Sequence, residues 1–201
     1  LWKIDDENIL QQLQDLFAQK VSASYIADGH HRSAASAKVG AEIREERGSY
    51  TGDESFNFFL SCLFPSEQLQ IIDYNRVIKD LNGHSVEDIL SQLESNFTVE
   101  KKSEIYSPST LHEFSMYLGG QWYSLNANSN TFDNNDPIKG LDVTVLSQYV
   151  LDPIFGIKDQ RTDKRIDFIG GIRGLKELSK RVDSGEMAVA FAFYPVTLNQ
   201  L

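Results

Sequence analysis

Met187-Ala188-Val189-Ala190-Phe191-Ala192-Phe193-Tyr194 is an apolar run that carries no charge. Side chains of an extended segment alternate between two faces, so such a run needs cover on both of them. The reading is a central strand of a sheet with helices packed on it. Phe56 to Phe64 is nearly continuous in the same way and ends at Pro65, which predicts a second central strand.

Around these two runs the chain alternates between helical and extended patterns. Residues 8–19 place Ile9, Leu10, Leu13, Leu16 and Phe17 on one helical face. Val21 to Ala27 reads as a short strand, and Ser33 to about Glu46 as an Ala-rich helix. Ile71 to Ile78 is a strand or an ordered crossing segment. Ser85-x-x-Asp88 is a capping-box start for a helix bearing Val86, Ile89, Leu90 and Leu93. Phe97 to Glu100 reads as a strand. Phe114–Tyr117 and Trp122–Leu125 flank Gly119-Gly120 as a hairpin. A polar loop over 126–140 precedes a helix at Val143–Val150, a strand at Ile166–Ile169 and a helix at Gly174–Val182. The expectation is an α+β or irregular α/β fold, a mixed sheet with helices, and no repeat. The 201 residues read as one continuous fragment of a longer protein, with two subdomains, about 1–95 and 96–201, as the alternative. The chain begins without Met, and Thr197 to Leu201 starts a new helical pattern.

Charge excludes several classes. Nineteen basic against 29 acidic residues give a net charge of −10. An acidic chain without a basic stripe repels a phosphate backbone, so no nucleic-acid partner is expected. The one cysteine, Cys62, excludes an internal disulfide framework and reads as an inert core thiol. No apolar run approaches the roughly 18 residues that span a bilayer, and no signal peptide is visible. The expected setting is cytoplasmic, with no membrane partner and an oligomeric state left open.

Chemistry concentrates in Tyr25-Ile26-Ala27-Asp28-Gly29-His30-His31-Arg32-Ser33. A strand running through a glycine turn into a helix aims free N–H groups and the positive dipole end outward, which suits an anion. Gly29, His30, Arg32 and Ser33 are the candidate phosphate-binding residues, with Arg32 offering a two-pronged fork. Asp28 and His31 are the candidate catalytic residues: a carboxylate able to take a proton or hold magnesium, and an imidazole able to move a proton near neutral pH. The bland alternative is an aspartate serving only as an N-cap beside satisfied histidines. The string is neither a Walker A loop nor a dinucleotide fingerprint.

Ile26-Ala27-Asp28-Gly29-His30-His31-Arg32 resembles the signature of a broad prokaryotic family, domain of unknown function 1015. Asp73 to Ile78, Tyr117 to Tyr123, Leu141 to Leu146, Arg165 to Gly171 and Ala190 to Pro195 match it in order. Members continue to a Met-Pro-Pro-Lys-Ser-Thr motif and carry Tyr after the arginine, where this chain has Ser33. Asp28 to Arg32 is also similar to the phosphate-binding motif of the ParB/sulfiredoxin superfamily, whose free serine kinases carry the same five residues. That likeness implies a ParB/sulfiredoxin-like strand-turn-helix around residues 25–46, with ATP or ADP and magnesium as cofactors. It also implies a catalytic or metal-linked Asp28, phosphates cradled by Gly29 to Arg32, and an upstream acid. Sulfiredoxin chemistry itself would need a cysteine in the motif, and none is there.

Two functions follow. One is a small-molecule phosphotransferase; the other is a non-enzymatic module sensing a nucleotide or phosphometabolite. The partner in both is a small molecule, and no residue is assigned to a standing metal site. Elsewhere, Gly170 to Gly174 reads as a turn and cap, with anion binding assisted by Arg173 as its alternative. Alternation puts Asp73 and Asn75 on one face, Tyr74 and Arg76 on the other, either set able to line a pocket. Arg76 equally suits an ion pair. His84 reads as solvated, His112 as a surface strand residue, and Trp122 as hairpin packing. Asp133 and Asp136 hint at a calcium loop but lack its spacing.

Overall fold

Alternation along the last strand organises the fold. In the computed structural model, which describes residues 2–197 and Gln200, Val189, Phe191 and Phe193 enter one apolar cluster, while Ala190 and Ala192 enter another on the opposite face. This strand, β6 (Val189–Phe193), is buried at every position. It lies between β3 (Glu113–Leu118) and β1 (Tyr74–Ile78) in a six-stranded sheet. β4 (Gln121–Ala127) and β2 (Phe97–Lys102) extend the sheet beyond β3, and β5 (Ile166–Gly170) closes the other edge beyond β1.

The fold is α+β, and the sheet is antiparallel at every pairing rather than mixed. The β3–β4 hairpin explains part of this. Gly119 and Gly120 hold φ of +58° and +76°, which a two-residue turn of the right twist demands and side chains resist. On one face, α3 (Val86–Leu93) and α4 (Asp142–Leu146) contribute Ile89, Leu93, Val145 and Leu146 to the larger cluster. α4 continues as a π-helical turn over Ser147–Leu151. α5 (Leu175–Asp183) covers the other face, where the two alanines leave room for Leu178. The serine of the predicted cap accepts from the Asp88 amide at 3.1 Å, completing the capping box.

These elements belong to one of two units, Ser66–Leu201; the other is Leu1–Pro65. In the latter, α1 (Glu7–Lys20) starts where the Asp6 carboxylate accepts from the Asn8 and Ile9 amides at 2.9 and 3.1 Å. α2 (His30–Arg47) carries Gly40 against the Phe56 carbonyl, where a Cβ would come within 2.9 Å of the oxygen. Arg44 Nη1 donates to Asn57 Oδ1 at 2.7 Å, and Arg47 lies over the Phe56 ring at 5.0 Å.

Three expectations fail here. Phe56 to Phe64 is not a buried strand: a 3-10 turn at Ser55–Asn57 leads into a segment with no ladder partner among the described residues. Phe58, Phe59, Leu60, Leu63 and Phe64 are exposed, Leu60 at 96%. Apolar composition makes a central strand only where neighbours lie on both sides, and six other strands complete this sheet. Cys62, within that segment, is exposed rather than a core thiol. Val21 to Ala27 likewise forms no strand and is exposed, so the strand-turn-helix reduces to a turn and a helix. The helical start expected from Thr197 to Leu201 falls mostly outside the described residues.

Candidate functional site

Gly29 sets the geometry of the motif. Its φ of +84° lies in the left-handed region, where a Cβ is strained, and it occupies the N-cap position of α2 without a side-chain cap bond. The first hydrogen bond of the helix runs from the Ser33 amide to the Gly29 carbonyl at 2.9 Å. That leaves the amides of His30, His31 and Arg32 facing outward with no internal acceptor among the described residues.

The Arg32 side chain folds back over this end. A Cβ at Gly29 would lie 3.5 Å from Arg32 Nη2 and 3.6 Å from Nε, so the guanidinium sits against the glycine. No acidic residue occupies the first turn of α2, and Arg44 and Arg47 occupy the last. The positive end of the helix therefore meets a cation and no compensating carboxylate within its own turn. A shallow concavity of about 430 Å³ is lined by Asp28, Gly29, His30, His31 and Arg32.

Asp28 does not cap the helix, which removes the bland reading of that residue. It is exposed, as are His30, His31 and Arg32, while Gly29 and Ser33 are half-buried. The side chains of Asp28, His30, His31 and Arg32 open to solvent instead of packing into a core. Among the described residues, no group of three His, Cys, Asp or Glu side chains is placed to hold a metal ion, the Asp133–Asp136 segment included.

Apart from Arg76, the remaining candidates are structural. Trp122 packs against Tyr117, ring centres 5.0 Å apart. Asp73 and Asn75 share a face and a hydrogen bond, and Asn75 Oδ1 accepts from the Phe193 amide at 3.1 Å. His84 is half-buried, with Nδ1 3.4 Å from the Gln92 amide nitrogen. Gly171 to Arg173 forms a 3-10 turn. His112 is not a strand residue: it stands before β3 with φ of +65°, its ring stacked on Phe132 and bonded to Asp142. Sequence reasoning missed this pair, because thirty positions separate its members. Arg76 forms no ion pair among the described residues.

The family model described as "Protein of unknown function (DUF1015)" matches residues 1–144. The motif at 26–32 and the matches through 141–144 lie inside that span; those at 165–171 and 190–195 lie beyond it. No curated protein and no solved structure matches the chain. Among the described residues no helix is long and apolar enough to cross a membrane.

Proposed function

We propose that the chain, which belongs to the DUF1015 family, binds the phosphates of a nucleotide at Gly29 to Ser33 and transfers a phosphoryl group to a small hydroxyl metabolite. The observation that carries this reading is the uncapped start of α2. Three free amides and the Arg32 guanidinium converge there beside a carboxylate that takes no part in capping. Likeness of Asp28 to Arg32 to the free serine kinases of the ParB/sulfiredoxin superfamily supplies the substrate class, serine or a related hydroxyl compound. The likeness rests on the turn and helix, without the preceding strand.

Phosphoryl transfer asks for positioning and charge neutralisation more than covalent chemistry. The substrate hydroxyl oxygen attacks the terminal phosphorus, the bond to the bridging oxygen breaks, and the nucleoside diphosphate leaves with the electron pair. Arg32, His30 and the helix amides hold the phosphates. Asp28 or His31 takes the hydroxyl proton. Magnesium, bound with the nucleotide, would offset phosphate charge.

The sensing alternative is favoured by one observation: Asp28 and His31 are exposed and make no hydrogen bond with each other among the described residues, so no acid–base pair is held in place.

Calorimetric titration with ATP and ADP, followed by a coupled transfer assay on serine, tests both. Arg32→Ala should weaken nucleotide binding by about 2–3 kcal/mol, the worth of a charge-assisted fork. Asp28→Asn keeps the size and removes the charge, so it should lower turnover more than binding. No binding at millimolar nucleotide would overturn both readings; binding without transfer to hydroxyl metabolites would leave the sensor.

A further inference from the structure

Arg76 projects from β1 into an aromatic surround within the Ser66–Leu201 unit. Its guanidinium carbon lies 4.5 Å from the Phe193 ring centre, 5.2 Å from Phe168 and 5.8 Å from Tyr74. Only 9% of the residue is exposed. Nε donates to Gln160 Oε1 at 3.2 Å, and Nη1 donates to the Tyr74 carbonyl. Gln160 in turn donates to the Ser147 hydroxyl, so the hydroxyl proton is left to bond elsewhere. Among the described residues, Nη2 has no acceptor and no carboxylate pairs with the guanidinium. Burial lowers the pKa of Arg76 to about 10, which still leaves it cationic at neutral pH.

A buried cation without a counter-charge is costly, and aromatic faces offset only part of that cost. The cavity beside it, about 490 Å³, is lined also by Thr144, Ser147, Gln148 and Lys158. The π-helical turn at Ser147–Leu151 forms part of this wall, an irregularity often associated with binding sites. Arg161 is neutralised by its fork on Asp159, at 3.0 and 2.9 Å. Lys158 has no such partner among the described residues. Two uncompensated positive charges thus face one cavity in a chain whose net charge is −10.

We infer that this cavity binds the phosphate group of a small phosphorylated molecule, with Arg76 and Lys158 as its charge partners. A phosphate monoester carries close to two negative charges at neutral pH, matching the pair. Thr144 and Ser147 supply hydroxyl donors, and Phe168 offers an apolar wall to the organic part. None of the residues Gly29 to Ser33 lines this cavity.

Amide NMR on the full chain, titrated with inorganic phosphate and phenyl phosphate, tests the inference. Saturable shifts are expected at Thr144, Ser147, Gln148 and Gln160, and shifts at 29–33 report the other site independently. Lys158→Ala, at an exposed position that does not endanger folding, should weaken binding about threefold to tenfold. Arg76→Lys keeps the charge and loses the fork, so a loss of about tenfold or more is expected. Phosphate shifts confined to 29–33, no saturation, or acetate binding as tightly as phosphate would overturn the assignment. An unaltered affinity in Lys158→Ala would do so even if Arg76→Lys failed to fold.

Discussion

His112 holds a buried charge in place through a backbone conformation that histidine rarely adopts. Asp142 is 3% exposed, and its Oδ1 accepts from the His112 amide at 3.0 Å and meets Nδ1 at 2.9 Å. Oδ2 is buried without a partner among the described residues. The His112 Nε2 meets Asn134 Oδ1 at 2.9 Å, tying the polar loop to the same point. Burial, opposed by the His112 bonds, raises the pKa of Asp142 above its ordinary value. A carboxyl whose folded pKa is raised weakens the fold as pH climbs through the unfolded value toward the folded one. His112→Ala should therefore cost about 2–4 kcal/mol at pH 7, and the deficit should shrink as pH falls to about 4. His112→Gly loses the same ring but relieves the positive φ, so it should be more stable than the alanine variant by about 1 kcal/mol. Urea unfolding of both variants across pH checks this; an alanine variant equal to the glycine variant would remove the strain from the account. The sequence marks His112 only as a surface strand residue. Asp142 becomes its partner through folding of residues thirty positions apart, which no local pattern displays.

At the scale of elements, the junction after β5 turns on the contrast between two adjacent glycines. The Gly171 amide donates to the Asp73 carbonyl at 2.8 Å, and a Cβ there would meet Asp73 Oδ1 at 2.0 Å and its carbonyl oxygen at 2.9 Å. Gly170 has φ of −63° and nothing within 4 Å of its Cβ position. Gly171→Ala should cost about 2 kcal/mol or more because backbone must move, while Gly170→Ala stays within about 1 kcal/mol. Equal denaturant midpoints would contradict the close approach. Regularity decided which elements were legible. The capping box at Ser85, the Gly119-Gly120 hairpin and β6 each carry a local rule that the fold obeys. Phe56 to Phe64 satisfies the composition rule for a buried strand but not the pairing condition, which depends on strands elsewhere. The candidate site divides the same way: Gly29 and the start of α2 were readable from the motif. The cavity at Arg76 joins β1, β5, the π-helical turn and residues 158–161, and only the folded chain brings them together.

Across the whole molecule, burial is distributed very unevenly. Between residues 2 and 65 only Gly40 is buried, and Ile9, Leu10, Leu13, Leu16 and Phe17 of α1 are all exposed. Both apolar clusters belong to Ser66–Leu201. Apolar burial is the main favourable term in folding, so local stability should follow it. β6 has five buried residues and hydrogen-bonded neighbours on both sides, and its amides can exchange only when the sheet opens. The amides of α1 and α2 are held by helical bonds alone, with little packed over them, and isolated helices of this length are marginal in water. Native-state hydrogen exchange should therefore show β6, β3 and β1 protected close to the global unfolding free energy. The edge strands β2 and β5 should be less protected, and residues 7–47 should exchange orders of magnitude faster. Phosphate or nucleotide held at Gly29 to Ser33 should slow exchange in the first turns of α2, because ligand binding stabilises the conformation that binds it. Protection of α1 and α2 equal to that of β6 without ligand would contradict this ordering and point to cover over their apolar residues.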